Sequence, residues 1–211
     1  MRGVVDDADL AAVHEQLGRI PRGVAAVAHR CPCGCPDVLR TEPRLPDGTP
    51  FPTTYYLTCP RLTGAISTLE TSGMMRDMTQ RLGSDPELAT AYLAAHEDYL
   101  RRRGELGDVA EIAGISAGGM PTRVKCLHVL VGHSLAVGPG VNPLGDEALA
   151  ALASWWKAGP CVPRSDPRTD PRSELRTDPG SDPRTDPRTE TRSETLSETR
   201  SETRSEPRGE R

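Results

Sequence analysis

The stretch TTYYLTCPRLTGAISTLE, residues 53–70, decides the fold, because its character changes once and sharply at Cys59. Thr53 to Thr58 are, apart from Leu57, β-branched and aromatic residues that favour an extended strand. Pro60 then suits a first helical position, and Leu62, Ile66 and Leu69 recur at helical spacing up to Gly73. The coarse order is a first short helix, then short strands up to this point, and helices after it.

Upstream, residues 24–29 and 38–41 are strand candidates on either side of a cysteine cluster, and Pro46-Asp47-Gly48 is a turn signal leading into TTYYLT. A small antiparallel sheet is the economical arrangement. Before it, Asp6 and Asp7 precede Leu10, Val13 and Leu17 at helical spacing, with Gly18 placed to end a first short helix. Downstream, helices are expected over 74–82, 86–103, 121–137 and 146–157, with Ser84-Asp85-Pro86 and Gly145-Asp146 as start signals. The helix over 121–137 is expected to be the central buried one. The fold class is therefore α+β, with four to five helices covering the sheet, and not the βαβ alternation of a dinucleotide-binding fold. Neither GxGxxG nor GxxxxGK[ST] occurs.

Of the 211 residues, those from 163 onward repeat a four-residue unit of Ser or Thr, Asp or Glu, Pro or Thr, and Arg, with Leu175 and Leu196 as the large apolar side chains. Such a segment cannot bury enough apolar surface to offset about 1–2 kcal/mol per residue of ordering entropy. Helix formation would stack Glu194, Glu198 and Glu202, and likewise Arg200, Arg204 and Arg208, at i,i+4. The expected organisation is a single α+β domain over 1–162 and a disordered tail over 163–211.

The formal net charge is −4, without the clustered basic excess that a nucleic-acid binder needs. No apolar run is long enough for a membrane span, and the N-terminus MRGVVDDADL is acidic where a secretory leader would be basic. A cytoplasmic location follows as an expectation, and there the six cysteines would be thiols or metal ligands in preference to disulfides.

Three blocks, RCPCGCP (30–36), LPDGTPFPTTYYLTCPRL (45–62) and GGMPTRVKCLHVLVGHSLAVGPGVNPLGDEAL (118–149), resemble the actinobacterial family catalogued as domain of unknown function 501. The resemblance covers roughly residues 6–157. Members of that family are often encoded beside a septum-formation initiator protein and an exopolyphosphatase-like phosphatase, so the resemblance implies a link to cell division or phosphate metabolism. It carries over no established activity and names no cofactor.

Within the first block, Cys31, Cys33 and Cys35 would turn three thiols to one face of an extended segment, with Cys59 as a possible fourth sulfur. The single-residue spacing is poor for zinc, whose ligand pairs usually read C-x₂₋₄-C, and no metal is expected. In the third block the candidate catalytic residues are Cys126, His128 and His133. In a helix over 121–137, Cys126 and His133 share a face but lie about 10 Å apart along the axis, too far for one ion unless the helix breaks at Gly132. His128 falls on the opposite face, among Val124, Leu127, Val131 and Leu135. It reads as a hydrogen-bonded core histidine or a catalytic acid or base, and a direct Cys126–His128 couple is not expected.

Ahead of them, Gly118 and Gly119 lead into Pro121, and Arg123 and Lys125 would carry positive charge in the first helical turns, where the macrodipole disfavours it. Either a small phosphate- or carboxylate-bearing ligand at Gly118, Gly119, Arg123 and Lys125, or an Asp or Glu from elsewhere in the fold, would balance that charge. GPGVNPLGDE reads as a rigid connector, and Trp155-Trp156 as core packing or a docking patch. Two functions remain: a protein that binds or transforms a small anionic ligand, or a non-catalytic adaptor for a division-related protein partner. The first needs a pocket in which cations and titratable groups converge, the second an exposed apolar surface.

Overall fold

The computed structural model describes residues 5–162, which belong to one compact unit; the expected tail lies outside the described residues. The chain runs α1 (Asp7–Leu17), β1 (Val24–Arg30), β2 (Pro36–Thr41), β3 (Tyr55–Leu57), α2 (Pro60–Glu70), α3 (Met74–Leu82), α4 (Pro86–Gly104), a 3₁₀ turn (Ala110–Ile112), α5 (Leu127–Val137), α6 (Pro143–Ala151) and a last 3₁₀ turn (Trp155–Ala158). It is an α+β fold. The three strands form one antiparallel sheet in sequence order, with Val27 opposite Leu39 and Val38 opposite Leu57. Among the described residues no helix is long and apolar enough to cross a membrane.

Local chemistry accounts for most boundaries. Asp6 caps α1 by accepting from the Asp9 N–H at 2.7 Å, and Asp85 caps α4 by accepting from Glu87 and Leu88, with Pro86 at the first position. The β3–α2 junction falls at Cys59, which keeps an extended backbone before Pro60.

Two helices depart from the sequence expectation. The first, α5, starts at Leu127 and not near residue 121, because the preceding loop closes on itself: Lys125 N–H donates to the Gly118 carbonyl at 2.8 Å, and Cys126 is extended at φ −155°. The second, α6, covers Pro143–Ala151 and does not run on to 157. Its start is set by Asn142, whose side chain accepts from Gly145 N–H at 3.0 Å ahead of Pro143, a stronger cap than Gly145-Asp146 offers.

The helix α5 is the centre of the core. Leu127, Leu130 and Val131 are fully buried with Val38, Leu62, Ile66, Tyr92, Tyr99 and Leu144 around them. Two glycines let it sit so deep. A Cβ on Gly132 would lie 3.2 Å from the Tyr55 carbonyl oxygen of β3, and one on Gly145 would lie 2.4 Å from the Leu130 carbonyl oxygen. The backbones of α5 and α6 are thus in direct contact. Trp155 and Trp156 meet edge to face at 4.7 Å and pack on the core partly buried, which makes them packing residues.

Candidate active site

The early end of α5 lies against the late end of α2, and there three chemically different side chains meet. Cys126, just outside the helix, has the extended conformation that turns its side chain towards the next turn of chain, so Sγ stands 3.7 Å from His128 Nδ1. Glu70, the last residue of α2, brings Oε1 to 3.1 Å from the same nitrogen and accepts from Leu127 N–H at 2.7 Å. Its carboxylate is therefore the cap of α5, placed where the partial positive charge of a helix start favours an anion. On the other side of the ring, His128 Nε2 lies 3.2 Å from the Thr63 carbonyl and 3.5 Å from Ser67 Oγ.

The Thr63 carbonyl can only accept, so Nε2 carries a proton and Nδ1 is the nitrogen that exchanges one with the thiol side. The His128 ring is pushed up to about 9, by its contact with the Cys126 sulfur above all and then by Glu70, while partial burial works against the shift. At neutral pH it is an imidazolium whose Nδ1–H faces both a sulfur and a carboxylate. Cys126 and His128 form one wall of a cleft of about 310 Å³, whose other walls are Tyr55, Tyr56, Leu57 and Val129, with Thr63 at its edge. The three donor atoms of Glu70, Cys126 and His128 lie within 4.8 Å of one another, a spacing that also suits three ligands of one divalent ion.

The direct Cys126–His128 couple corrects the expectation drawn from a regular helix: Cys126 precedes the helix, so the 100° rule does not apply to it. His128 is half-buried beside the cleft and is not in the core. The core histidine is His133, fully buried, with Nε2–H donating to Asp98 Oδ2 at 3.0 Å and Nδ1 accepting from the Asn142 amide at 3.3 Å. It stacks on Tyr55 at 5.6 Å and meets the Tyr99 ring edge to face at 5.3 Å. Burial lowers its proton affinity despite the carboxylate, so it is a neutral structural residue remote from the thiol chemistry of Cys126. The helix continues unbroken through Gly132.

Gly118 and Gly119 adopt positive φ, and their space is taken up by their own chain. A Cβ on Gly119 would meet the Arg123 carbonyl at 2.8 Å, and one on Gly118 would meet Val129 at 3.0 Å. Arg123 and Lys125 precede the helix, so they do not oppose its dipole. Both are exposed, and neither pairs with a carboxylate among the described residues. Glu70 and Thr63 were not identified from the sequence, which carries no local signal linking a helix end to a helix start 57 residues later.

The model of the family described as Protein of unknown function (DUF501) matches residues 27–150, a span that contains Glu70, Cys126, His128 and His133. No curated protein and no solved structure matches the chain.

Proposed function

The chain belongs to the DUF501 family, and we propose that it binds a small carbonyl compound in the cleft beside α5 and attacks it with the Cys126 thiol. The observation that carries this reading is the Cys126 Sγ to His128 Nδ1 approach of 3.7 Å, with Thr63 fixing the ring so that Nδ1 faces the sulfur. Thiol nucleophiles need a neighbouring base held in one orientation, and the base needs a group that stabilises its charged form. His128 and Glu70 have those roles.

In the reacting form the Cys126 S–H proton has already passed to Nδ1, giving the imidazolium, and the sulfur forms a bond to the electrophilic carbon as the carbonyl π pair moves onto oxygen. The imidazolium, held by Glu70, then returns its proton to the departing group as the carbon–leaving-group bond breaks. The apolar walls of Tyr55, Leu57 and Val129 suit the body of such a molecule, and the exposed cations Arg123 and Lys125, on the loop that delivers Cys126, suit a phosphate or carboxylate on it. The test is alkylation by iodoacetamide followed by peptide mass spectrometry. Cys126 should label faster at pH 7 than free glutathione, and H128N should remove the advantage. Equal rates for Cys126 and glutathione, unaffected by H128N, would overturn the reading.

A further inference from the structure

A second chemical cluster lies outside that site. The turn between β1 and β2 is Cys31-Pro32-Cys33-Gly34-Cys35, tightened by Gly34 N–H donating to the Cys31 carbonyl at 2.7 Å and Cys31 N–H to the Cys35 carbonyl at 3.0 Å. Gly34 has φ +92°, a conformation that L side chains rarely adopt. Cys59 stands at the start of α2. Cys161 arrives from the C-terminal edge of the described chain, where Arg61 Nε holds the Pro160 carbonyl at 3.1 Å. Its sulfur lies 3.0 Å from Cys59 Sγ and 3.2 Å from Cys33 Sγ, and the sulfurs of Cys31, Cys59 and Cys161 are within 4.8 Å of one another. All four are free thiols, and Cys31, Cys59 and Cys161 are buried.

Apolar packing has no reason to bring four sulfurs from three distant segments to one point, whereas a soft divalent ion does. Tetrahedral ligation at about 2.3 Å separates sulfurs by about 3.8 Å, so the Cys161 sulfur needs to part from those of Cys59 and Cys33 by less than about 1 Å to receive it. The backbone supports the charged form of the ligands: Cys33 N–H points to the Cys31 sulfur, and the N–H groups of Cys35 and Cys161 point to the Cys33 sulfur. Such outer donors are the usual company of metal-bound thiolates. The poor C-x-C spacing ceases to matter, because alternate residues of an extended segment share a face and the other two ligands come from afar.

We propose that Cys31, Cys33, Cys59 and Cys161 bind one zinc ion as a tetrathiolate that fastens the C-terminal segment to the β1–β2 turn and to the start of α2. Each thiol releases its proton to solvent on binding, and no redox change is involved. The site is closed and structural, since all four positions are filled by protein.

The full-length protein, purified anaerobically with reductant and then exposed to one equivalent of zinc, tests this by elemental mass spectrometry after desalting. One zinc per chain is expected, retained in C35S and H128N and lost in C59S and C161S. Cobalt in place of zinc should show a thiolate charge-transfer band in the near ultraviolet, a readout on the wild type that does not depend on whether a variant folds. A wild type that holds no zinc and shows no such band would overturn the proposal. So would an intact mass lighter by two hydrogens, which marks a disulfide, or zinc that survives C59S and C161S but is lost in H128N.

Discussion

Five residues apart on α5, His128 and His133 each face a carboxylate at almost the same distance, 3.1 Å to Glu70 and 3.0 Å to Asp98, and end in opposite charge states. The His128 side chain is 26% exposed and is held protonated to about 9; that of His133 is 0% exposed and is held neutral. At His133 the desolvation of a charged ring outweighs the pull of Asp98, whose own charge is shared with Arg101 and Arg102. The Asn142 amide also needs its Nδ1 as an acceptor. A carboxylate neighbour therefore does not by itself make a histidine cationic. Solvent access and the second nitrogen's partner decide.

The strongest challenge to that contrast is His133→Ala. It opens a cavity in the core and takes the ring nitrogen from the buried Asn142 amide, while Asp98 keeps Arg101 and Arg102, so it should destabilise the protein by about 3–5 kcal/mol in urea unfolding. The alkylation rate of Cys126 in the folded protein should stay at the wild-type value. A loss below about 1 kcal/mol would show that His133 is not the buried polar pin of the core.

A smaller effect belongs to the other histidine. His128→Asn should slow iodoacetamide modification of Cys126 at pH 7 by about 100-fold, at the lower end of what a positioned base contributes. A rate within twofold of wild type would erase the distinction between the two histidines.

The pH dependence sharpens the same point. His128 is raised from 6.5 to about 9 on folding, so its contribution to stability is complete below pH 6.5 and fades as pH rises through about 9. The stability gap between wild type and H128N, measured by urea unfolding, should therefore shrink steadily from pH 6 to pH 10. A gap independent of pH would mean that the ring is not charged in the native state.

The smallest effect is expected for Glu70→Gln. The amide oxygen can still accept from Leu127 N–H, so only the charge is lost from the helix start and from the ring, at a cost of about 0.5–1 kcal/mol. A loss above about 3 kcal/mol would reveal that Glu70 is a buried charge and not a partly solvated cap.

Residues 53–70 were sufficient to read β3, the break at Cys59 and α2, because strand and helix chemistry there are local. The same holds for α4, whose Ser84-Asp85-Pro86 start is read directly in the chain. The start of α5 was not legible. Pro121 after two glycines imitates a helix start, while the group that actually begins the helix, Glu70, is distant in sequence. That one displacement puts Arg123 and Lys125 ahead of the helix and lets Cys126 approach His128, which a regular helix over 121–137 would not allow. The burial of His133 was masked differently, because a helix apolar on nearly every face gives no period from which to choose an inner side. Cys161 was unreadable as a neighbour of Cys59, since a separation of 102 residues carries no local pattern.

The contact between Cys161 and Cys59 also has a mechanical side. The Cys161 sulfur rests against that of Cys59 at the start of α2 and that of Cys33 in the β1–β2 turn. The sulfur contacts thus close a loop: residues 152–160, with the last 3₁₀ turn and its two tryptophans, are held at one end by α6 and at the other by Cys161.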